Sequence, residues 1–376
     1  MFALLLLLQF PNDIVVTGQR LVEAQEECAR GGCSPLRDAQ TTIALAEVKF
    51  REGAYVEAKH LLATAISRNR NKAAEAPRPV AALYEAYATV ALHDGDQTTY
   101  RRAVANQVQT LRENLPANDP SVVSAATALG DMWIELGNYR QADATYRRIE
   151  DDALDAGQAK QAMLAGMKRV WLAAAMGKKA DSSRKLNELE ARPIAKESGF
   201  KTALRVLRLR LAVREENGAD ITKRIRELGQ GEDAEPVLIW APPYQLDAAA
   251  AANANARKFS LSDAVDIRST DWDGNQWVDI GFWIRPDGHT AEAEILRGSR
   301  SQSWAKSALN QIARRRYTIS GADTERQMEE GVYRVERFTR KSEYITPKGS
   351  LIKRRVAVGG FEVLDLTKDP KDPPSN

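Results

Sequence analysis

The sequence predicts an α+β, multidomain chain: an N-terminal α-solenoid of stacked helix hairpins, then a small β-β-α-β domain with extra C-terminal strands. Three observations carry that reading. Gly53, Gly95, Gly137, Gly177 and Gly218 each end one amphipathic, helix-period segment and precede another, at spacings of 42, 42, 40 and 41 residues. A near-constant period of that length marks a helical repeat array. In Gln276–Tyr317 the period is strand-like, is broken by a Pro-Asp-Gly turn, is strand-like again and then becomes helical. Between the two patterns, Gly229–Ala256 breaks all periodicity, with Pro236, Pro242 and Pro243 ahead of the run Ala248–Ala252.

Composition bounds the possibilities. A chain of 376 residues suggests two or three domains. The hydrophobic fraction of 43% supports ordinary cores, and no apolar run reaches the length of a membrane span. With 54 basic and 51 acidic residues the net charge is +3, which makes no case for nucleic acid or an anionic membrane as the main partner.

Residues 1–11 are a signal-peptide-like segment: Phe2–Leu8 is the apolar core of a secretory signal, without a basic flank or a small-x-small cleavage site. The alternative is a short buried helix or strand. Residues 12–37 form a leader. In it Asp13-Ile14-Val15-Val16-Thr17 favours extended chain, through three consecutive β-branched residues. Cys28 and Cys33 flank a turn containing Gly31-Gly32; they close a disulfide if the chain is exported and are two free thiols if it is not. A zinc site needs two further ligands, and His60, His93 and His289 do not pair at ligand spacing. No metal or cofactor is expected.

Residues 38–230 hold about five repeats. The unit Ala125–Asp151 resembles the tetratricopeptide repeat (TPR) through Leu129-Gly130, Trp133, Gly137, Tyr139, Ala142, Tyr146 and Ile149. Ala44–Ser67 matches less fully, with Gly53, Tyr55, Ala58, Leu62 and Ala65; Ser182 and Lys223 stand where Ala142 stands. Small residues there let antiparallel helices approach, Gly137 ends the first helix, and the aromatic rings fill the space between helices. One hairpin cannot bury its apolar face alone, so neighbours stack.

Residues 231–256 form the linker, in which Val237–Trp240 is apolar enough to pack as an edge strand or against the last solenoid helix. In the domain 257–366, Val278, Ile280, Phe282 and Ile284 alternate on one strand, and Ala291, Ala293 and Ile295 on the next. Trp304, Ala308, Ile312 and Tyr317 then recur at helical spacing, with Arg314–Arg316 in the last turn. Val332–Phe338 reads as a further strand, and Leu351–Val358 and Phe361–Leu366 as two added ones. The tail 367–376 frays.

The order of hairpin WVDIGFWIRPDGH, strand AEAEILRGS and helix WAKSALNQIARRRY resembles the C-terminal domain of the TonB family of energy transducers. The resemblance covers about a quarter of the chain. It implies a peptide-binding module rather than an enzyme, located in the periplasm of a Gram-negative bacterium. It also implies that Val332, Tyr333, Arg334, Val335, Glu336, Arg337 and Phe338 form an edge accepting an extended peptide as an added strand. If Leu351–Val358 pairs on that strand instead, the edge is capped and the domain is structural. The usual transducer also has a full membrane helix and a long Pro-rich spacer, which this sequence lacks. Asp13–Thr17 resembles the TonB box, the extended peptide with which outer-membrane receptors engage such a domain.

No G-x-S-x-G, H-E-x-x-H, Walker loop or G-x-G-x-x-G is present. Asp271, Asp273 and Asp279 lack the glutamate and spacing of a calcium loop. Arg314–Arg316 and Lys353–Arg355 read as solvated basic faces. The expected function is therefore a periplasmic interaction protein whose solenoid recruits protein partners and whose sheet takes an extended peptide or a TonB-dependent receptor. The alternative is an envelope scaffold whose TonB-like domain no longer reads TonB boxes.

Overall fold

The computed structural model describes residues 18–215, 221–228, 236–245, 274–318, 331–346, 351 and 353–367. Asp13–Thr17, Gly218, Asp271 and Asp273 lie outside the described residues. The leader begins as helix α1 (Gly18–Ala29), and Cys28 and Cys33 are joined by a disulfide across the turn into the next helix.

Five hairpins follow: α2 (Pro35–Arg51) with α3 (Tyr55–Asn69), α4 (Pro77–His93) with α5 (Gln97–Asn114), and α6 (Pro120–Glu135) with α7 (Tyr139–Asp155). The last two are α8 (Ala159–Ala175) with α9 (Lys179–Glu190), and α10 (Ser198–Glu215) with α11 (Ile221–Leu228). In each of the first four hairpins the predicted glycine is the turn residue, at φ between +70° and +82°. At Gly53 its N–H donates to Phe50 O, and the Ala54 N–H reaches back to Lys49 O, so orphan carbonyls at the helix end are satisfied. The same pair of bonds recurs at Gly95, Gly137 and Gly177.

Close approach follows from small residues. A Cβ on Gly130 would stand 2.5 Å from the Tyr146 ring, so glycine is what lets that buried ring come so close to α6. Ala58 and Ala142 are fully buried at the matching crossings. Ser182, where the signature is lost, fits the same place by donating to Val170 O at 3.0 Å. Tyr139 departs from expectation: it is exposed, not wedged between helices. The helical half is a TPR-like repeat array.

The C-terminal part is a four-stranded antiparallel sheet, with strands β2 (Trp277–Ile284), β3 (Thr290–Gly298), β5 (Val332–Ile345) and β6 (Arg354–Asp365) in the order β3-β2-β5-β6. Helix α12 (Lys306–Ile312) covers one face, where Val278, Ile280, Phe282, Ile284 and Phe338 pack on Trp304, Ala308 and Ile312. A short ribbon of β1 (Leu238–Trp240) and β4 (Arg316–Tyr317) links the two halves. Ile239 of β1 packs among Val206, Val213, Ile221 and Ile225 of the last hairpin, so the apolar linker stretch is both a strand and a solenoid contact.

Further expectations need correcting. Arg315 and Arg355, read within solvated basic faces, have side chains only 4% and 9% exposed, because each pairs with a carboxylate, Glu336 and Asp94 respectively. The helix ends at Ile312, and Arg316 and Tyr317 lie in β4, because the chain turns there to pair with β1. The two added strands are one: Arg340 pairs with Phe361 and Ser342 with Ala357, so residues 358–360 bulge from a continuous β6. Gly359 and Gly360, at φ +86° and +81°, accept that bulge. Val332–Phe338 is no outer edge either. It pairs with Ile284–Val278 of β2 on one side, and from Val335 onward β6 and its extension lie on the other.

Candidate functional site

Alternation on β2 and β5 places Trp277, Asp279, Arg337 and Thr339 on the sheet face opposite α12, and that face docks on the hairpin turns of the array. Arg337 is fully buried. It pairs with Asp279 at 2.7 Å, lies 3.9 Å over the Trp277 ring and 5.1 Å over Phe50, and donates to the carbonyls of Phe50 and Arg51. Those carbonyls end helix α2, where a cation complements the helix dipole. The pattern repeats along the array. Arg355 pairs with Asp94 and donates to its carbonyl at the end of α4, and Lys341 pairs with Glu135, the last residue of α6, at 2.8 Å. Of the seven residues expected to accept a peptide, Arg337 is thus a pin between the halves. Glu336 and Phe338 face the α12 side, where Arg315 bonds Glu336 and stacks on Phe338. Arg334 pairs with Asp365, and Tyr333 rests against Trp283.

The titratable groups His93, Tyr55 and Glu362 sit inside this junction. His93 and Tyr55 both meet the Thr339 hydroxyl, at 2.9 and 3.1 Å. Burial, reinforced by Arg337 and Lys341, holds the His93 imidazole down to about 3, so it is neutral. Burial pushes the Glu362 carboxyl up to about 7; Lys341 opposes that shift and Glu135 adds to it.

The first helices of the hairpins line a common groove face. At the first two repeats the chain's own β6 end lies in it: Leu364, Asp365 and Leu366 face Ile43, Ala46, Glu47 and Phe50 of α2 and Ala86, Thr89 and Val90 of α4, leaving a cavity of about 270 Å³. Farther along, α6, α8 and α10 line a second cavity of about 450 Å³, edged by Val123, Thr127, Leu164, Lys168, Trp171, Leu207 and Arg210. Counted back from the turn glycine, positions thirteen, nine and six carry Ala82, Ala86 and Thr89 in α4 but Leu164, Lys168 and Trp171 in α8. Leu164 is 52% exposed and Trp171 38%. Large apolar side chains left open where other repeats carry small or polar ones mark an interaction site. Sequence reading missed this groove; aligning the repeats on their glycines, rather than scoring each for its signature, would have exposed it.

Chemically the groove can bind but has no catalytic constellation. Among the described residues no cluster of three or more His, Cys, Asp or Glu could hold a metal ion, and no helix is long and apolar enough to cross a membrane.

No protein-family model matches the chain, and no curated protein matches it. Among solved structures it is similar to BtubC (BKLC) from P. vanneervenii, at 14% identity over 57% of this chain and 87% of that one, with a TM-score of 0.42. It is also similar to a Podosopora anserina protein described as a kinesin light chain with nearly identical TPR-like repeats (13% identity, 48% and 87% covered, TM-score 0.41). A third is a Rap protein complexed with competence and sporulation factor (13% identity, 56% and 62% covered, TM-score 0.37). Likenesses at this level add nothing to the geometry described above.

Proposed function

We propose that this protein is a non-catalytic interaction scaffold that holds a protein partner in the groove of α6, α8 and α10. One observation carries the reading: the fourth repeat presents Leu164 and Trp171 open to solvent on the face where the first two repeats receive the chain's own β6 end. The sheet serves as a brace that fixes the array through Arg337, Arg355 and Lys341. Its kinship is to the TonB C-terminal domain, turned from reading peptides to holding its own solenoid. The apolar leader and the Cys28–Cys33 pair support an exported, periplasmic location. A peptide library displayed on phage and selected on the whole protein tests the scaffold. Clones that bind the native chain and are lost on Leu164→Glu are expected. A library that yields no clone sensitive to Leu164→Glu would sink the proposal.

A further inference from the structure

The groove of the third to fifth repeats has two features that together specify its occupant. The first is a precedent within the molecule. At the first two repeats the corresponding face is filled by an extended segment with alternate leucines, Leu364 and Leu366, and Leu364 packs against the cluster of Phe50, Leu62 and Val90. An extended chain presents every second side chain to one surface, so such a segment reaches two apolar spots with two leucines.

The second is an unmatched cation. Arg210, on the groove wall, donates its Nε and Nη2 to one acceptor, the Leu238 carbonyl, with Nε–O at 2.8 Å. Among the described residues it has no other partner and no carboxylate beside it, and burial depresses its guanidinium. A guanidinium has five N–H donors in a planar fork suited to a carboxylate. Arg214 stands 5.6 Å over the Trp171 ring, and Lys168 shares Asp131 at 2.8 Å with both ends near half exposed. The groove is therefore apolar at its floor and cationic at its wall. The Leu238 carbonyl belongs to β1, so the ribbon that ties the sheet to the array also sets the guanidinium in place.

Resting on the groove being the partner site, we infer that the occupant is an extended protein segment with leucines at alternate positions and an aspartate or glutamate side chain that pairs with Arg210. The alternate leucines sit against Leu164 and Trp171. A single acidic side chain within the segment supplies the carboxylate, and Arg214 and Lys168 favour further negative charge beside it.

The test uses the whole protein and a fluorescein-labelled peptide, Gly-Phe-Glu-Val-Leu-Asp-Leu-Thr, blocked at both ends, followed by anisotropy. Saturable binding is expected, with at least a tenfold loss when Glu and Asp of the peptide become Gln and Asn, and a similar loss on Trp171→Ala or Leu164→Ala. Arg210→Gln should erase the difference between the acidic and amide peptides. Because Arg210 also holds the Leu238 carbonyl, the two exposed variants keep the test independent of its folding. Equal affinity for acidic and amide peptides would overturn the inference. So would binding that ignores Trp171→Ala, or tighter binding of a helix-forming leucine peptide than of the extended one. If neither octapeptide binds while library clones still require Leu164, the inference fails and the scaffold stands; if no clone requires Leu164 either, both fail.

Discussion

His93 and Glu362 set opposite limbs of the pH dependence, although they belong to one junction. The imidazole is held down to about 3 from an ordinary 6.5, so the folded state binds its proton less well than the unfolded chain does. Its contribution is complete above about pH 6.5 and is lost as pH falls toward about 3. The carboxyl of Glu362 is raised from 4.5 to about 7, so the folded state binds that proton better, and its contribution is complete below about pH 4.5 and is lost as pH rises through about 7. Between about 4.5 and 6.5 the two slopes oppose each other, so this pair leaves stability nearly level, and Glu85, raised by burial, adds a fall with rising pH. Urea unfolding across that window checks it. His93→Gln should make stability fall with rising pH there, and Glu362→Gln should make it rise. If both variants give the native profile, these two groups do not set it.

At the scale of the element, two glycines that look alike in sequence should behave differently. Gly137 turns in open space, so Gly137→Ala meets only the left-handed backbone, a cost of about 1–2 kcal/mol. Gly95 turns under the sheet, where a Cβ would stand 2.4 Å from the Ser342 carbonyl. Gly95→Ala should therefore also lift β5 from the second repeat, speeding amide exchange in residues 339–345 while Gly137→Ala leaves them protected. The turns themselves were legible because glycine's positive φ is a local requirement repeated at a fixed period. The strands were legible because alternation is local too. Element ends were harder: Arg314–Arg316 continue a helical pattern past Ile312, and only the pairing of Tyr317 with Leu238 stops it. Gly359-Gly360 reads as a gap between strands, yet the register on either side shows one strand with a bulge. The groove at Leu164 and Trp171 was hidden for another reason: within one amphipathic helix exposed apolar residues look like core, and only the small or polar residues at the matching positions of the other repeats set them apart.

Across the whole molecule, the junction couples sheet and array, and sequence patterning had no access to it. Arg337 and Phe50 are 287 positions apart, and nothing in the alternation of β5 distinguishes an arginine facing water from one facing a helix end. Removing that side chain strands Asp279, which keeps Arg297 as a half-exposed partner. Arg337→Ala should cost about 3 kcal/mol, at the lower end for a broken buried pair. It should also split one calorimetric transition shared by the sheet and the first repeats into two. Replacing Arg337 and Asp279 together by methionine should recover part of the loss, because no charge is then left buried alone, while the carbonyls at the end of α2 still lack their donor. A single unshifted transition in Arg337→Ala would mean that the halves are held by other contacts.

The filling of the first groove by the chain's own far end has a consequence in time. Leu364 is made more than 300 residues after Ile43, and at about 5–20 residues per second the ribosome needs on the order of 15–60 s to cover that distance. During synthesis the first two repeats therefore stand complete but uncovered, with Phe50, Ala86 and Val90 open to whatever meets the nascent chain. Truncated products that stop before β6 would keep that surface exposed for good.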